Sequence, residues 1–285
     1  MFLADTKNGY RVLDTGDGMK LEDWNGYILS RPDPQVIWPK SKPEAWDAAD
    51  AEYMRSSTGG GSWSFKKKLP DRWTTRIGGL DFYVRPTGFK HTGLFPEQAA
   101  NWDFMKRTIR QSGRAEVNVL NLFAYTGGAT LACAKAGAAV THVDAAKSMV
   151  MWAKENAELS KLGDAPIRYI VDDCMKFVER EQRRGRKYDG IVMDPPSYGR
   201  GSGGQIWKVE KDLFMLVNET AKLLSDDPLF FVINSYTTGL TAEVSSNLIR
   251  LAVKQEGFID AGTLALPVEA GGIVLPCGTT ARWHR

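Results

Sequence analysis

One pentapeptide carries more chemistry than any other stretch of this chain: Asp194-Pro195-Pro196-Ser197-Tyr198, placed directly after the apolar run Ile191-Val192-Met193. Two consecutive prolines fix a rigid, extended backbone and bring no N–H of their own, so the carbonyls of Pro195 and Pro196 are expected to point inward as acceptors. Asp194 beside them can hold an amine or accept a proton, and Tyr198 can stack on a flat ring. These types suit a planar, amine-bearing acceptor. Asp194, Pro195, Pro196 and Tyr198 are the candidate catalytic residues, and Ser197, Tyr198 and Arg200 the candidate substrate contacts. The following stretch, GRGSGGQ (199–205), has too many glycines for regular structure and reads as a mobile active-site loop in which Arg200 could meet a phosphate.

Three further segments read as ligand positions. In NVLNLFAYTGGAT (118–130) an apolar strand runs into Thr126-Gly127-Gly128, where glycine lets the backbone approach a ligand closely. Asp144 ends the next strand pattern, VTHVD, where a carboxylate can accept from both hydroxyls of an adenosyl ribose. Taken alone, it could equally cap the helix that starts near residue 146. The third strand pattern ends in Val171-Asp172-Asp173-Cys174; Asp173 is a candidate for the exocyclic amine of adenine, for a helix N-cap, or for both. The glycine turn lacks G-x-G-x-x-G spacing, which counts against a nicotinamide dinucleotide.

Positioning these groups at one place requires a particular scaffold. From residue 96 onward, helical and strand patterns alternate: helices over 97–111, 129–136, 147–162, 174–183, 211–224 and 242–255, and strands over 117–123, 139–143, 167–171, 188–193 and 229–234. Strict alternation implies an α/β, Rossmann-like, doubly wound and mostly parallel sheet, because parallel strands need helical crossovers. Two last strands, 262–268 and 279–283, have no helix between them and are expected to form a terminal antiparallel hairpin. Residues 1–90 differ, being rich in Trp, Pro and Gly with short β-type runs at 26–30 and 80–85, and they read as a small β-rich module with a flexible loop at 56–64. Its aromatics beside basic residues could stack bases, although Trp in such a module also serves as core. The expected division is thus 1–90 and 91–285.

Composition excludes several classes. Three widely spaced cysteines and three histidines share no metal-ligand spacing, so neither a disulfide framework nor a zinc site is expected. The first twenty residues have neither a signal-peptide core nor a membrane span, and a cytoplasmic location is expected. A net charge of +3 permits a nucleic-acid partner without demanding one; Lys66-Lys67-Lys68 and the cluster Arg183, Arg184, Arg186, Lys187 are the basic runs.

Taken together, NLFAYTGG, the segment HTGLFPEQ (91–98) and DPPSY resemble the class I S-adenosylmethionine (SAM) dependent methyltransferases, particularly bacterial 23S ribosomal RNA methyltransferases that modify cytosine C5 or guanine N7. The resemblance runs from about residue 80 to the C-terminus. It implies SAM as cofactor, with Phe95 and Gln98 flanking it. Ala124, Tyr125, Thr126 and Gly127 would surround the methionine moiety, Asp144 with Ala145 the ribose, and Asp173 with Cys174 the adenine. Asp194 with Pro195 would lie by the methyl donor and acceptor, and ribosomal RNA would be the partner.

The chain departs from that family at one point. Methylation of cytosine C5 needs a thiolate to add to C6, and the usual cysteine positions hold Ser197, Ser235 and Tyr236. Cys277, expected in the loop of the terminal hairpin (269–278), is the remaining thiol. Direct transfer to a nitrogen, which needs only alignment and a base, is therefore the expected reaction. Cytosine C5 methylation of RNA through the non-standard Cys277, a protein or small-molecule acceptor, a SAM- or RNA-binding protein without catalysis, and an oxidoreductase are the competing readings.

Overall fold

The structure is a computed structural model that describes residues 1–56, 60–200 and 206–285. The chain folds as two compact units: one holds Leu3–Ala100 and Ala265–Cys277, the other Met1–Phe2, Asn101–Leu264 and Gly278–Arg285. Among the described residues, no helix is long and apolar enough to cross a membrane and no group of three metal-ligating side chains occurs.

The first unit is built from short strands, β2 (Arg11–Gly16), β3 (Met19–Trp24), β4 (Tyr27–Pro32), β5 (Ala51–Arg55) and β6 (Gly61–Phe65), forming one sheet in that order, and from the hairpin of β7 (Trp73–Ile77) and β8 (Leu80–Val84). Trp24 and Trp46 are buried, and Trp24 packs edge-on against Tyr10 at 4.5 Å, so these tryptophans are core. The core also encloses charge. Arg31 donates to both Glu22 oxygens at 2.5 and 2.6 Å, and Tyr10 donates its hydroxyl to Glu22 at 2.6 Å. Burial alone would raise the Glu22 carboxyl, but the charges of Arg31 and Lys20 outweigh it and hold the group down at about 2. A carboxyl whose folded pKa is depressed adds stability above its unfolded value, near 4.3, and loses it as pH falls towards the folded one. The midpoint of urea unfolding is therefore expected to drop between about pH 4 and pH 2, and Glu22→Gln should flatten that part of the profile.

The second unit carries the α/β pattern. Its helices are α1 (Ala99–Gln111), α2 (Gly128–Lys135), α3 (Lys147–Leu159), α4 (Cys174–Arg183), α5 (Val209–Ala221) and α6 (Ala242–Ala252). The strands β9 (Asn118–Leu122), β10 (Ala139–Asp144), β11 (Ile167–Val171), β12 (Gly190–Met193) and β15 (Phe230–Ser235) lie in the order β11-β10-β9-β12-β15, all parallel. Strand β17 (Val274–His284) joins β15 antiparallel, and β16 (Phe258–Pro267) and β1 (Phe2–Leu3) complete the eight-stranded sheet.

Side-chain alternation sorts the two faces. Leu120, Leu122, Ile191, Met193, Phe231 and Ile233 pack with buried residues of α4, α5 and α6. Asn121, on the opposite face of β9, donates to Thr130 of α2. Helix α4 shows why its face is inside: Cys174, Phe177, Val178 and Glu181 fall at i, i+3, i+4 and i+7, and Asp173 caps its start by accepting from the Lys176 amide at 3.0 Å. Gly190 is needed in β12, since a Cβ there would lie 2.3 Å from the Phe230 ring on the neighbouring strand.

Local expectations change at two places. Where the sequence suggests a loop from residue 199, β13 (Tyr198–Arg200) pairs antiparallel with β14 (Ile206–Lys208), so Gly199 and Arg200 are strand residues. Residues 201–205 of the expected loop, 57–59 of the expected 56–64 loop, and the side chain of Arg200 lie outside the described residues. The final strand starts at Val274 rather than 279, which puts Cys277 in the strand and not in a hairpin loop.

Candidate active site

Strand register sets the site. Leu122 pairs with Val143 on one side and with Met193 on the other, and Met193 pairs with Ile233. The residues that follow, Phe123 to Gly127, Asp144 to Ala146, Asp194 to Tyr198 and Ser235 to Thr237, therefore leave the sheet at one level along its carboxyl edge. Chain order reverses between β9 and β12, the switch point at which open α/β sheets bind ligands. Asp144 and Asp194 are separated by two strand spacings, about 10 Å, and Asp173, beyond β11, by about 5 Å more.

The turn after β9 is held in an unusual backbone. Phe123 and Tyr125 adopt left-handed conformations at φ 54° and 50°, and Gly127 at φ 91°. For side-chain-bearing residues this conformation costs on the order of 1–3 kcal/mol each and persists only where neighbours enforce it. The enforcing groups are visible. Asp144 accepts from the Tyr125 amide through one oxygen and from the Ala146 amide through the other, both at 2.8 Å. Asn156 of α3 donates to the Thr126 carbonyl at 2.9 Å, and the Ala124 amide donates to the Val143 carbonyl at 3.0 Å. Burial raises the Asp144 carboxyl, against the opposing pull of its two amide partners. Each of its oxygens retains a second lone pair for a further donor.

Along β11 the carboxylates divide their work. Asp173 spends one oxygen as the N-cap of α4, while Asp172 pairs with Arg180. Cys174 is buried and burial pushes its thiol up, so it offers a neutral wall rather than a thiolate.

At the end of β12, Pro195 is buried, Asp194 half-buried, and Pro196, Ser197 and Tyr198 exposed, Tyr198 by 54%. The two proline carbonyls are not equivalent. The indole N–H of Trp207 on β14 donates to the Pro196 carbonyl at 2.6 Å and takes one of its two lone pairs. The Pro195 carbonyl accepts no hydrogen bond among the described residues. The ring of Trp207 also packs on Phe123, centroids 5.4 Å apart, tying the β12 end to the β9 turn. Ser197 shares a 2.6 Å hydrogen bond with Thr237, joining the ends of β12 and β15. Trp207 and Thr237 escape sequence reading, since neither belongs to a motif and Trp207 is reached only through a strand pair formed across a glycine-rich stretch.

Two expected site residues belong to the other unit. Phe95 precedes the short 3-10 turn Pro96–Gln98 and stands 5.2 Å from the His91 ring, and Gln98 is buried. Cys277 is half-buried there, and burial pushes its thiol well above the usual range, the reverse of what a nucleophilic cysteine needs.

The donor set fits an adenosyl sulfonium. At the switch point the left-handed turn is clamped by Asp144, whose carboxyl burial raises and whose oxygens keep lone pairs for a further donor, and the neutral Cys174 and capping Asp173 lie one strand further. The comparisons with known proteins agree. A family model described as S-adenosylmethionine-dependent methyltransferase matches residues 55–239. A SAM-dependent methyltransferase from Agrobacterium tumefaciens, solved by crystallography, superposes with a TM-score of 0.94 at 37% identity, covering 99% of this chain and 92% of that one. Ribosomal RNA large subunit methyltransferase K of Neisseria meningitidis is 27% identical over 232 residues, covering 77% of this chain and 64% of that protein. The corresponding K/L protein of Magnetococcus marinus is 33% identical over 156 residues, 54% of this chain and 20% of its own length. The chain thus spans less than two thirds of the curated relatives it matches. With the switch-point site and a family match over more than half its length, this chain belongs to the S-adenosylmethionine-dependent methyltransferases.

Proposed function

We propose that the protein methylates a ring or exocyclic nitrogen of a nucleobase in ribosomal RNA by direct transfer. The observation that carries this reading is the end of β12, where Asp194 stands beside the buried Pro195 at the switch point, about two strand spacings from Asp144. The named activity of the Neisseria and Magnetococcus relatives supports RNA as the substrate.

In this reading SAM, when bound, supplies a methyl group activated by a positively charged sulfur. Asp144 holds the ribose hydroxyls through its remaining lone pairs, Asp173 and Cys174 border the adenine, and Ala124 to Gly127 line the methionine portion. The Asp194 carboxylate and the Pro195 carbonyl hold the acceptor amine with its lone pair toward the methyl carbon. Where the acceptor nitrogen carries a hydrogen, Asp194 takes the proton it releases as the new bond forms; a ring nitrogen without one keeps the positive charge, which the Asp194 carboxylate offsets. Tyr198 stacks on the base, and Ser197 and Arg200 contact the substrate. No covalent enzyme adduct is needed.

Trp207 has a positioning role in this scheme. Its N–H takes a lone pair of the Pro196 carbonyl and fixes that end of the turn beside Pro195. Trp207→Phe keeps an aromatic, though smaller, ring and removes that donor, and single-turnover assays are expected to show transfer slowed about 10-fold with SAM affinity unchanged. A variant that loses both equally would show that Trp207 serves the fold alone.

The decisive test incubates the protein with methyl-labelled SAM and ribosomal RNA, followed by mass spectrometry of the nucleosides. An N-methylated base is expected. Label at cytosine C5, or no label in RNA, would refute the assignment.

A further inference from the structure

The aromatic and basic residues of the first unit form an edge that its own core does not require. In the β5–β6 pair, Tyr53 lies opposite Trp63, Ala51 opposite Phe65 and Arg55 opposite Gly61, so Arg55, Trp63 and Phe65 project from one face. Ala51 and Tyr53 are buried on that face, whereas Phe65 is 54% exposed and Arg55 is exposed. Trp63 and Phe65 run nearly parallel, at 27° with centroids 6.4 Å apart.

A third aromatic is held out beside them. The segment from Arg85 to Thr92 folds back on itself: the Arg85 amide donates to the Thr92 carbonyl at 3.0 Å, and the Thr87 hydroxyl donates to the His91 carbonyl at 2.7 Å. The Trp63 indole N–H reaches the carbonyls of Thr87 and Phe89 at 2.9 and 3.2 Å, and Arg31 donates to the Lys90 carbonyl at 2.8 Å. This network fixes a segment whose tip, Phe89, is 69% exposed. A phenylalanine fastened mostly in water by hydrogen bonds on its neighbours, in company with the exposed Phe65 and the half-buried Trp63, makes an apolar group suited to a partner.

The surrounding charge identifies that partner. Arg55, Lys66, Lys68 and Lys90 make no ion pair among the described residues, while Lys67 is already paired with Asp50 at 2.6 Å. Lys90 is half-buried, and burial together with the cations Lys20, Arg31 and Arg55 pushes its ammonium down, as expected of positive charge gathered without enough counter-charge. Flat rings interleaved with unpaired cations match a polyanion that carries flat rings.

We propose that Trp63, Phe65 and Phe89, with Arg55 and Lys90, form a docking surface for single-stranded RNA, with bases on the rings and phosphates at the cations. The proposal rests on the RNA reading above and adds where a strand outside the reacting nucleotide is held.

The test uses the full chain with S-adenosylhomocysteine and a fluorescent uridine-rich single strand of about 12 nucleotides, followed by anisotropy over a salt series. Phe65→Ala with Phe89→Ala is expected to weaken binding about 10-fold or more. Arg55→Gln with Lys90→Gln is expected to reduce the slope of log Kd against log salt by about 1.4. S-adenosylhomocysteine affinity should stay within about twofold in both, which reports an intact fold. Wild-type binding that neither double variant changes would overturn the proposal, leaving the surface to a protein partner. Labelled methyl transfer to ribosomal RNA by the wild type is measured alongside: transfer that survives with unchanged RNA binding sinks the docking surface alone, whereas no transfer to RNA sinks the RNA reading itself.

Discussion

Asp194→Asn is expected to slow methyl transfer by about 10²- to 10⁴-fold, the range typical for loss of a positioned proton acceptor. The substitution preserves size, so the β12 end and its partners stay in place. Chemically it does two things at once: the amide cannot take the proton that leaves the acceptor nitrogen, and its NH₂ faces a donor where the carboxylate faced it as an acceptor. SAM affinity should fall by no more than about threefold, because Asp144, the proposed ribose contact, lies two strands away. Single-turnover transfer and calorimetric SAM binding on the same preparation separate the two quantities. A transfer rate within about threefold of wild type would remove Asp194 from the chemistry.

Asp144→Ala is expected to weaken SAM binding about 30- to 150-fold, equivalent to about 2–3 kcal/mol for charge-assisted hydrogen bonds lost in a partly buried place. The change removes the ribose acceptor and also releases the Tyr125 and Ala146 amides, so the left-handed turn at Phe123 and Tyr125 loses its clamp. Because burial raises the Asp144 carboxyl, protonation begins at a higher pH than for an exposed aspartate, and the protonated group accepts hydrogen bonds less well. SAM affinity of the wild type should accordingly fall as pH is lowered through that range, and Asp144→Asn should abolish this dependence. Calorimetry at several pH values reads both effects; an unchanged dissociation constant in Asp144→Ala would contradict the ribose role.

Much of the parallel sheet was legible because β9, β10, β12 and β15 are apolar runs buried on both faces and helices such as α4 and α6 are amphipathic, so the pattern could be read without knowing any contact. Ile167–Val171 and Cys174–Arg183 stand where the sequence puts them, and the loops of Asp144, Asp173 and Asp194 follow strand ends that apolar runs mark plainly. What stayed hidden depends on pairing at a distance. The β13–β14 pair forms around a glycine-rich stretch that local propensity reads as loop, and it alone brings Trp207 to Pro196. Likewise β17 extends to Val274, and Ala265–Cys277 returns to the first unit, neither of which any local signal announces. The commitment of the Pro196 carbonyl could not be seen for the same reason. The three buried charged and hydroxyl groups Glu22, Arg31 and Tyr10 lie in separate short strands or turns, and only the fold assembles them.

The most direct test of the central claim is a crystal structure with S-adenosylhomocysteine bound. Its ribose hydroxyls should lie within hydrogen-bond distance of the Asp144 carboxylate and its sulfur should sit next to the Asp194-Pro195 turn. A ligand found away from the carboxyl ends of β9, β10 and β12, or one whose sulfur points away from Asp194, would contradict it.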